Sequence, residues 1–314
     1  IEGLPAKEGG FFDGIDTTVP GMFKALRKPE PAGAAPLLAA IDASVKKAVA
    51  AFTLKDPSAT VPALAEGLAA TRKAIAAFQD PDALHLLRIK EQQFQDAINT
   101  ALGVAFTARA QAAGVPEPTG MMAMFAPPPA MAAPVPGQTF EVRTRFTNRG
   151  NVSVTPAALE LEAPAGWTVA KGEGAIAALG LNDSATQRFT VTVPADAALS
   201  SKPYFVRPSV RDNLYKIDDM AQFGRPATAP PVVAVAKYSV NGVAVEAREV
   251  VRRREPKLPY GDVLRELRVV PALSVSVAPA AAVIPLAAAT KQVHLQVEVL
   301  NNNEGAITGQ LSLS

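Results

Sequence analysis

TFEVRTRFTN, residues 139–148, is a segment written in period two. Phe140, Val142, Thr144 and Phe146 alternate with Glu141, Arg143 and Arg145, which predicts a half-buried strand with one wet face. The turn residues Asn148-Arg149-Gly150-Asn151 follow it. Further β runs are expected at 152–155, 158–162, 166–169 and 187–194. In VVAVAKYSVNGVAVEAREVV, Asn241-Gly242 separates two β-rich runs. That pair is the strongest short hairpin signal, because both turn residues need positive φ. Short strands with frequent turn signals read as an all-β sandwich over residues 138–271.

On the N-terminal side the period is 3.6. Residues 1–33 read as irregular, and 34–113 as a helical segment of three helices. The first, about 36–53, places Leu37, Leu38, Ile41, Val45, Val49 and Phe52 on one face. The second, about 61–79, takes Thr60 as N-cap and buries Leu64, Leu68, Ile75 and Phe78. The third opens at Asp80-Pro81 and continues through Leu84, Leu87, Phe94, Ile98, Ala101 and Ala105 until Gly114-Val115-Pro116 stops it. Short connections make the three antiparallel and bundle-like. Residues 114–137 hold seven prolines and read as an extended linker, with Met121, Met122, Met124 and Phe125 either packing back on the bundle, the favoured reading, or forming a partner-binding stripe.

On the C-terminal side the opening strand recurs. VHLQVEVLN (293–301) aligns with FEVRTRFTN (140–148). Apolar meets apolar at Phe140/Val293, Val142/Leu295 and Phe146/Val299, and Asn148 meets Asn301. Residues 272–314 are therefore expected to begin a second, truncated sandwich whose chain extends past Ser314. The expected fold class is α+β and multidomain: a helical bundle segment, an immunoglobulin-like sandwich and a partial second sandwich.

Composition narrows the functions. A net charge of +2 argues against a general nucleic-acid binder. The absence of cysteine excludes disulfides, thiolate metal sites and cysteine nucleophiles. No apolar run reaches the length of a transmembrane segment, and the N-terminus lacks the apolar region of a signal peptide. Both ends read like the interior of a longer chain.

No constellation for catalysis emerges. His85 and His294 are the only histidines, in separate regions, and zinc needs three or four ligands held together. Asp212, Asp218 and Asp219, with Asn213, could offer oxygens to calcium, or could serve as turn and cap residues. Asp16 before Thr17-Thr18 reads as an Asx turn. Trp167 is either core or a saccharide-stacking platform. Tyr204, Phe205, Tyr215 and Phe223 crowd a long connection between strands, where sandwiches often carry function; a ligand or interdomain surface is expected there. Arg252, Arg253 and Arg254 are expected to pair with Glu246, Glu249 and Glu255.

Several stretches carry a family resemblance: GFFDGIDTTVPGM (10–22), EQQFQDAINTALGVAFTARA (91–110), PVPGQTFEVRTRFTNRGNVSV (134–154), LELEAPAGW (159–167), PYFVRPSVRDNLYKIDD (203–219) and VVPALSVSVAPAAAVIPL (269–286). They resemble the region that follows the catalytic domain in large bacterial PIG-L/LmbE-type deacetylases. The sandwich is also similar to the NPCBM-associated domain of α-galactosidases and other carbohydrate enzymes. The resemblance implies a zinc-dependent enzyme that removes acetyl groups from N-acetylated sugars. Its metal motif, of the Pro-His-Pro-Asp-Asp type, has no match here, so zinc belongs to an absent catalytic domain and no cofactor is expected in this fragment. The implied role is a non-catalytic accessory region, periplasmic or extracellular, whose partner is that catalytic domain. A stand-alone carbohydrate-binding or adhesion module, with a saccharide as partner, is the alternative.

Overall fold

The computed structural model describes residues 9–115, 121, 129–209, 211–257, 259–284, 287, 292–303 and 305–312. Its helices are α1 (Met22–Ala25), α2 (Ala34–Ala51), α3 (Val61–Ala77) and α4 (Pro81–Ala101). The strands are β1 (Ala105–Ala112), β2 (Thr139–Thr147), β3 (Thr155–Glu162), β4 (Thr168–Ala175), β5 (Ser184–Thr192), β6 (Phe205–Val206), β7 (Lys216–Ile217), β8 (Val233–Val240), β9 (Val243–Val250), β10 (Arg252–Pro256), β11 (Asp262–Glu266), β12 (Leu273–Ala278) and β13 (Gln296–Asn301).

α2, α3 and α4 pack with the expected central residues inward: Leu38, Ile41, Leu68, Leu87, Phe94 and Ile98 are buried. Gly67 lets α3 approach α4, since a Cβ there would lie 2.3 Å from the Phe94 ring. Asp80 caps α4 as expected, accepting from the backbone N–H groups of Asp82 and Ala83 at 3.0 Å each. Lys28 reaches Asp80 at 2.7 Å and Asp82 at 2.6 Å. This ion pair and the Phe23–Phe78 ring contact at 5.5 Å bind the N-terminal segment down. That segment was expected to be irregular throughout, yet it forms α1 and buries Met22 and Phe23.

Three further helix expectations are corrected. Val49 is 72 % exposed and Phe52 54 %; Ala48 faces inward in their place, because alanine satisfies either face of an Ala-rich helix. Thr60 does not cap α3. Its backbone is already helical, and its hydroxyl donates to Pro57 O at 2.8 Å in a preceding 3₁₀ turn, Pro57–Thr60. The third helix stops at Ala101. Gly103 takes φ +57°, Gly103 N–H donates to Thr100 O and Val104 N–H to Asn99 O at 2.9 Å each. These two bonds are a Schellman stop, after which the chain becomes β1.

β1 lies inside a six-stranded sheet of order β11-β10-β1-β2-β5-β4. It pairs antiparallel with β2 and parallel with β10. A three-stranded sheet, β3-β8-β9, faces it. The β8–β9 hairpin turns at Asn241 (φ +49°) and Gly242 (φ +73°), as expected. The 152–155 and 158–162 runs merge into β3, with an irregularity between Pro156 and Ala158.

Two core clusters fill the molecule. One joins Ala108, Phe140, Val142, Phe189 and Val191 to Val232 and Ala234 between the sheets. The other joins the helices to both sheets through Leu87, Phe94, Ile98, Phe146, Tyr238 and Val245. Tyr238 Oη donates to Asn99 Oδ1 at 2.7 Å, Asn99 Nδ2 to Glu246 O at 2.9 Å, and Glu246 N–H to Gln95 Oε1 at 2.9 Å. Burial pushes the Tyr238 phenol above its ordinary pKa. The helical layer and the sandwich thus share a core.

Buried Val251 alone separates β9 from β10. Its N–H donates to Val232 O at 3.2 Å, and its carbonyl accepts from Leu267 N–H at 2.9 Å. The chain leaves one sheet and enters the other there. Within the expected linker, Met122, Met124 and Phe125 lie outside the described residues, and Met121 is exposed. Residues 129–137 do not stand off as a spacer: Met131 and Val135 are buried, and Met131 N–H donates to Arg254 O at 3.1 Å.

β12 and β13 pair antiparallel as a separate two-stranded sheet, Leu273 opposite Asn301. The match of Asn148 with Asn301 holds atom by atom. Asn148 Oδ1 accepts from Gly150 N–H at 3.1 Å and its Nδ2 donates to Val152 O at 2.9 Å. Asn301 Oδ1 accepts from Asn303 N–H at 3.0 Å and its Nδ2 donates to Gly305 O at 2.8 Å. The offsets, two and four residues, are the same.

Candidate functional site

The connection from β5 to β8 folds back on itself through the short ladder of β6 and β7, in which Phe205 is opposite Ile217. Tyr204 is buried and its hydroxyl donates to Arg225 O at 2.7 Å. Edge-to-face contacts run from Tyr204 to Phe205 at 5.0 Å and from Phe205 to Tyr215 at 5.5 Å. The Arg207 guanidinium lies 5.7 Å from the Tyr215 ring, within cation–π range. Tyr215 is 57 % exposed and Phe223 69 %. Three of the four expected aromatics therefore form one cluster. Phe223 sits after the 3₁₀ turn Met220–Gln222 and makes no ring contact with them among the described residues.

Trp167 is not part of this surface. It is half-buried against the core between the sheets, in a turn where its N–H donates to Pro164 O at 3.2 Å.

The acidic residues of the connection serve its turns. Asp212 Oδ2 accepts from Ser209 N–H at 3.0 Å. Asp219 caps the 3₁₀ turn, accepting from Ala221 N–H at 3.0 Å and Gln222 Nε2 at 2.7 Å. The Gln222 amide and then the Ala221 N–H hold the Asp219 carboxyl below its ordinary pKa. Asp218 lies 3.8 Å from Lys216. Among the described residues no three His, Asp or Glu side chains come together as a metal site. His85 is exposed on α4 and His294 is exposed before β13. Asp16 forms the expected Asx turn, accepting from Thr18 N–H at 3.0 Å.

Beside Phe205 lies a hollow of about 670 Å³, whose lining includes Lys202, Arg253, Arg265, Glu266 and Arg268. Arg268 is held by Glu266 at 2.7 Å and by Thr228 O. Arg253 donates to Met131 O at 3.0 Å and to Glu255 at 2.7 Å. The hollow thus sets the Phe205 ring beside a group of charged side chains. Residues 200–203 and 264–268 meet only in the fold. The available sequence signal was the charge alternation of DVLRELR, residues 262–268. The arginine run pairs largely as expected: Arg252 with Glu249, Arg253 with Glu255, but Arg254 with Asp262 at 2.6 Å, while Glu246 faces Arg248 at 3.7 Å.

Residues 135–211 match the family described as the NPCBM-associated, NEW3 domain of alpha-galactosidase. The match begins just before β2 and ends within the aromatic connection. No curated protein matches the chain. Among solved structures, the GAE domain of GGA2p from Saccharomyces cerevisiae is similar at 13% identity and a TM-score of 0.23, over 38% of this chain and 80% of that one. The yeast GGA1 GAE domain is similar at 13% and 0.22, over 35% and 75%.

Proposed function

We propose that this chain is a non-catalytic accessory region of a carbohydrate-active enzyme, carrying an immunoglobulin-like sandwich that packs on or spaces the catalytic domain. The observation that carries this reading is the match of residues 135–211 to the NEW3 domain of alpha-galactosidase. The parent is a PIG-L/LmbE-type zinc-dependent deacetylase, on the resemblance of the stretches quoted above. The zinc belongs to that catalytic domain, and the setting is periplasmic or extracellular. No described helix is long and apolar enough to cross a membrane.

An apolar surface supports the docking role. Phe11, Phe12 and Ile15 are exposed in the N-terminal segment, and Leu86 and Ile89 on α4. Leu86 and Ile89 line a hollow of about 300 Å³ with Val19 and Met22. Exposed apolar surface of this kind marks interaction sites. The second reading, a saccharide-binding module, is favoured by the exposed rings of Tyr215 and Phe223.

The test mixes the purified chain with a PIG-L-type catalytic domain supplied separately and measures association by sedimentation. Association weakened by Leu86→Glu/Ile89→Glu supports the accessory role. No association, together with retention on chitin that Tyr215→Ala abolishes, selects the second reading. Zinc-dependent deacetylation of N-acetylglucosamine derivatives by this chain alone, lost in His85→Ala or His294→Ala, would overturn both.

A further inference from the structure

β12 and β13 form a sheet of two strands, and the outer edge of β13 is open to solvent: Val293, Leu295, Glu298, Val299 and Leu300 are exposed. The aligned strand β2 has both edges filled, by β1 on one side and β5 on the other. Hydrogen-bond parity identifies the open edge of β13 with the β5 side of β2. Val193 N–H donates to Gln138 O at 2.9 Å, so Phe140, Val142, Thr144 and Phe146 turn their backbone groups to β5. Their counterparts in the alignment are Val293, Leu295, Val297 and Val299. In the second copy Asn302 N–H donates to Ala272 O at 2.9 Å. Alternation then bonds Leu300 and Glu298 to β12 and turns the backbone groups of Val299 and Val297 outward. β13 thus presents the edge on which β2 takes an antiparallel strand, and such an edge is a template for another chain.

The edge is also complementary to itself. Read outward from Gln296 in both directions, VHLQVEV (293–299) sets Leu295 against Val297, His294 against Glu298 and Val293 against Val299. Antiparallel pairing of two copies about a two-fold axis at Gln296 places these residues directly opposite one another. Apolar side chains meet on one face. On the other, each imidazole meets a carboxylate, and the two-fold makes that pair twice. The backbone accepts the same register: Val293–Val299 and Leu295–Val297 are the bonded pairs and use the outward groups. His294–Glu298 falls at the non-bonded position, where side chains lie closest. An axis at Leu295 or Val297 leaves no His–Glu pair, and an axis at His294 or Glu298 sets like residues against each other.

We infer that this chain pairs edge to edge with a second copy of itself through β13, giving a four-stranded sheet β12-β13-β13-β12 across a two-fold axis at Gln296. The occupant is a second copy because the strand supplies its own complement, in the antiparallel sense that a two-fold demands. Pairing draws residues 293–295 into the strand, which then approaches the extent of β2 in the alignment. Seven paired residues span roughly 23 Å at about 3.3 Å each. That is a smaller contact than a stable dimer needs, so the dimer is weak and its copies are apart in dilute solution. The inference concerns the second copy of the repeat alone and stands apart from the carbohydrate reading.

Sedimentation equilibrium of the whole chain over a wide concentration range tests it, with amide exchange followed at both ends of that range. A monomer–dimer equilibrium is expected. The amides of Val293, Leu295, Val297 and Val299 should exchange more slowly at high concentration, while those of Glu298 and Leu300, already bonded to β12, should change little. His294→Glu sets carboxylate against carboxylate, and Glu298→Lys sets ammonium against imidazole. Each should weaken self-association roughly tenfold or more without changing the melting temperature in dilute solution. An equimolar mixture of the two variants restores both opposite-charge pairs and should associate at least as well as the unaltered chain. A chain that stays monomeric throughout overturns the inference. So does a dimer whose edge amides exchange no more slowly, which points to packing of the apolar faces or to another surface such as that of Leu86 and Ile89. A dimer that neither variant weakens, or variants that do not recover on mixing, would overturn the pairing about Gln296.

Discussion

The molecule contains the same opening move twice, with opposite outcomes. β1 and β2 share a local design with β12 and β13: an antiparallel pair ending in an asparagine that clamps its own turn. In the first copy Asn148 is buried, and Phe146 on the preceding turn of the pattern is 0 % exposed, against Phe106 and Tyr238. In the second copy Val299 is 52 % exposed. Local hydrogen bonding is thus reproduced without burial. The asparagine turn is a property of a few neighbouring residues; the core is a property of the sheet that faces them.

The comparison can be broken most severely by deletion. Removing residues 1–113 takes away β1 from between β10 and β2, along with the helices that share the core, so the remainder should not fold. Removing 272–314 should leave the melting temperature of the rest nearly unchanged. Cooperative melting of residues 114–314 alone, followed by circular dichroism, would show that β1 is dispensable.

Single side chains come next. Phe146→Ala should cost about 3–5 kcal/mol in denaturant unfolding, as for a buried aromatic cut to alanine. Val299→Ala should stay within about 0.5 kcal/mol, as for a surface change. Equal losses would mean that the second pair is covered by something in solution. The asparagines sharpen the same contrast. Asn148 Nδ2 also reaches Leu179 O at 3.3 Å and Gly180 O at 3.2 Å. Asn148→Ala therefore orphans several buried backbone groups and should cost about 2–4 kcal/mol, whereas Asn301→Ala strands groups that water can satisfy. A destabilisation by Asn301→Ala that rivals Asn148→Ala would contradict the exposure of the second copy.

The smallest effect separates the well-tied N-terminal end from the loosely covered C-terminal one. Lys28, then the Ala83 N–H, holds the Asp80 carboxyl below its ordinary 3.8, and Asp80 and Asp82 raise Lys28 above 10.5. The carboxylate's contribution is present above pH 3.8 and is lost as pH falls through the lowered folded value. The ammonium's contribution is full below pH 10.5 and is lost as pH rises through the raised one. Amide exchange at Asp82 and Ala83 should therefore be slowest between these limits, relative to the chemical rate, and should lose that protection at acid pH. A flat profile would show that the Lys28–Asp80 pair does not hold the helix start.

Much of this was legible in the sequence for identifiable reasons. Alternation over 139–148, the Asn241-Gly242 turn and the Asp80-Pro81 start each encode their conformation within a few residues, and each appears in the structure. β1 was not legible, because AFTARAQA fits a helix as well as a strand when alanine fills four of its eight positions. Its parallel partner β10 is also far away in sequence. The inward turn of Ala48 over Val49 has the same origin: alanine carries too little side chain to declare a face. At the aromatic connection, composition located Tyr204, Phe205 and Tyr215 but could not say that Phe223 stands apart. The alignment of Arg252, Arg109, Arg143 and Arg188 across four strands was not legible either, since only register brings them opposite one another.

Val251 has a mechanical consequence. One residue adds at most about 3.6 Å of chain, so the crossing from β9 to β10 has no slack. Sliding the two sheets past each other by much more than that length must break the bond to Val232 or the bond to Leu267 first.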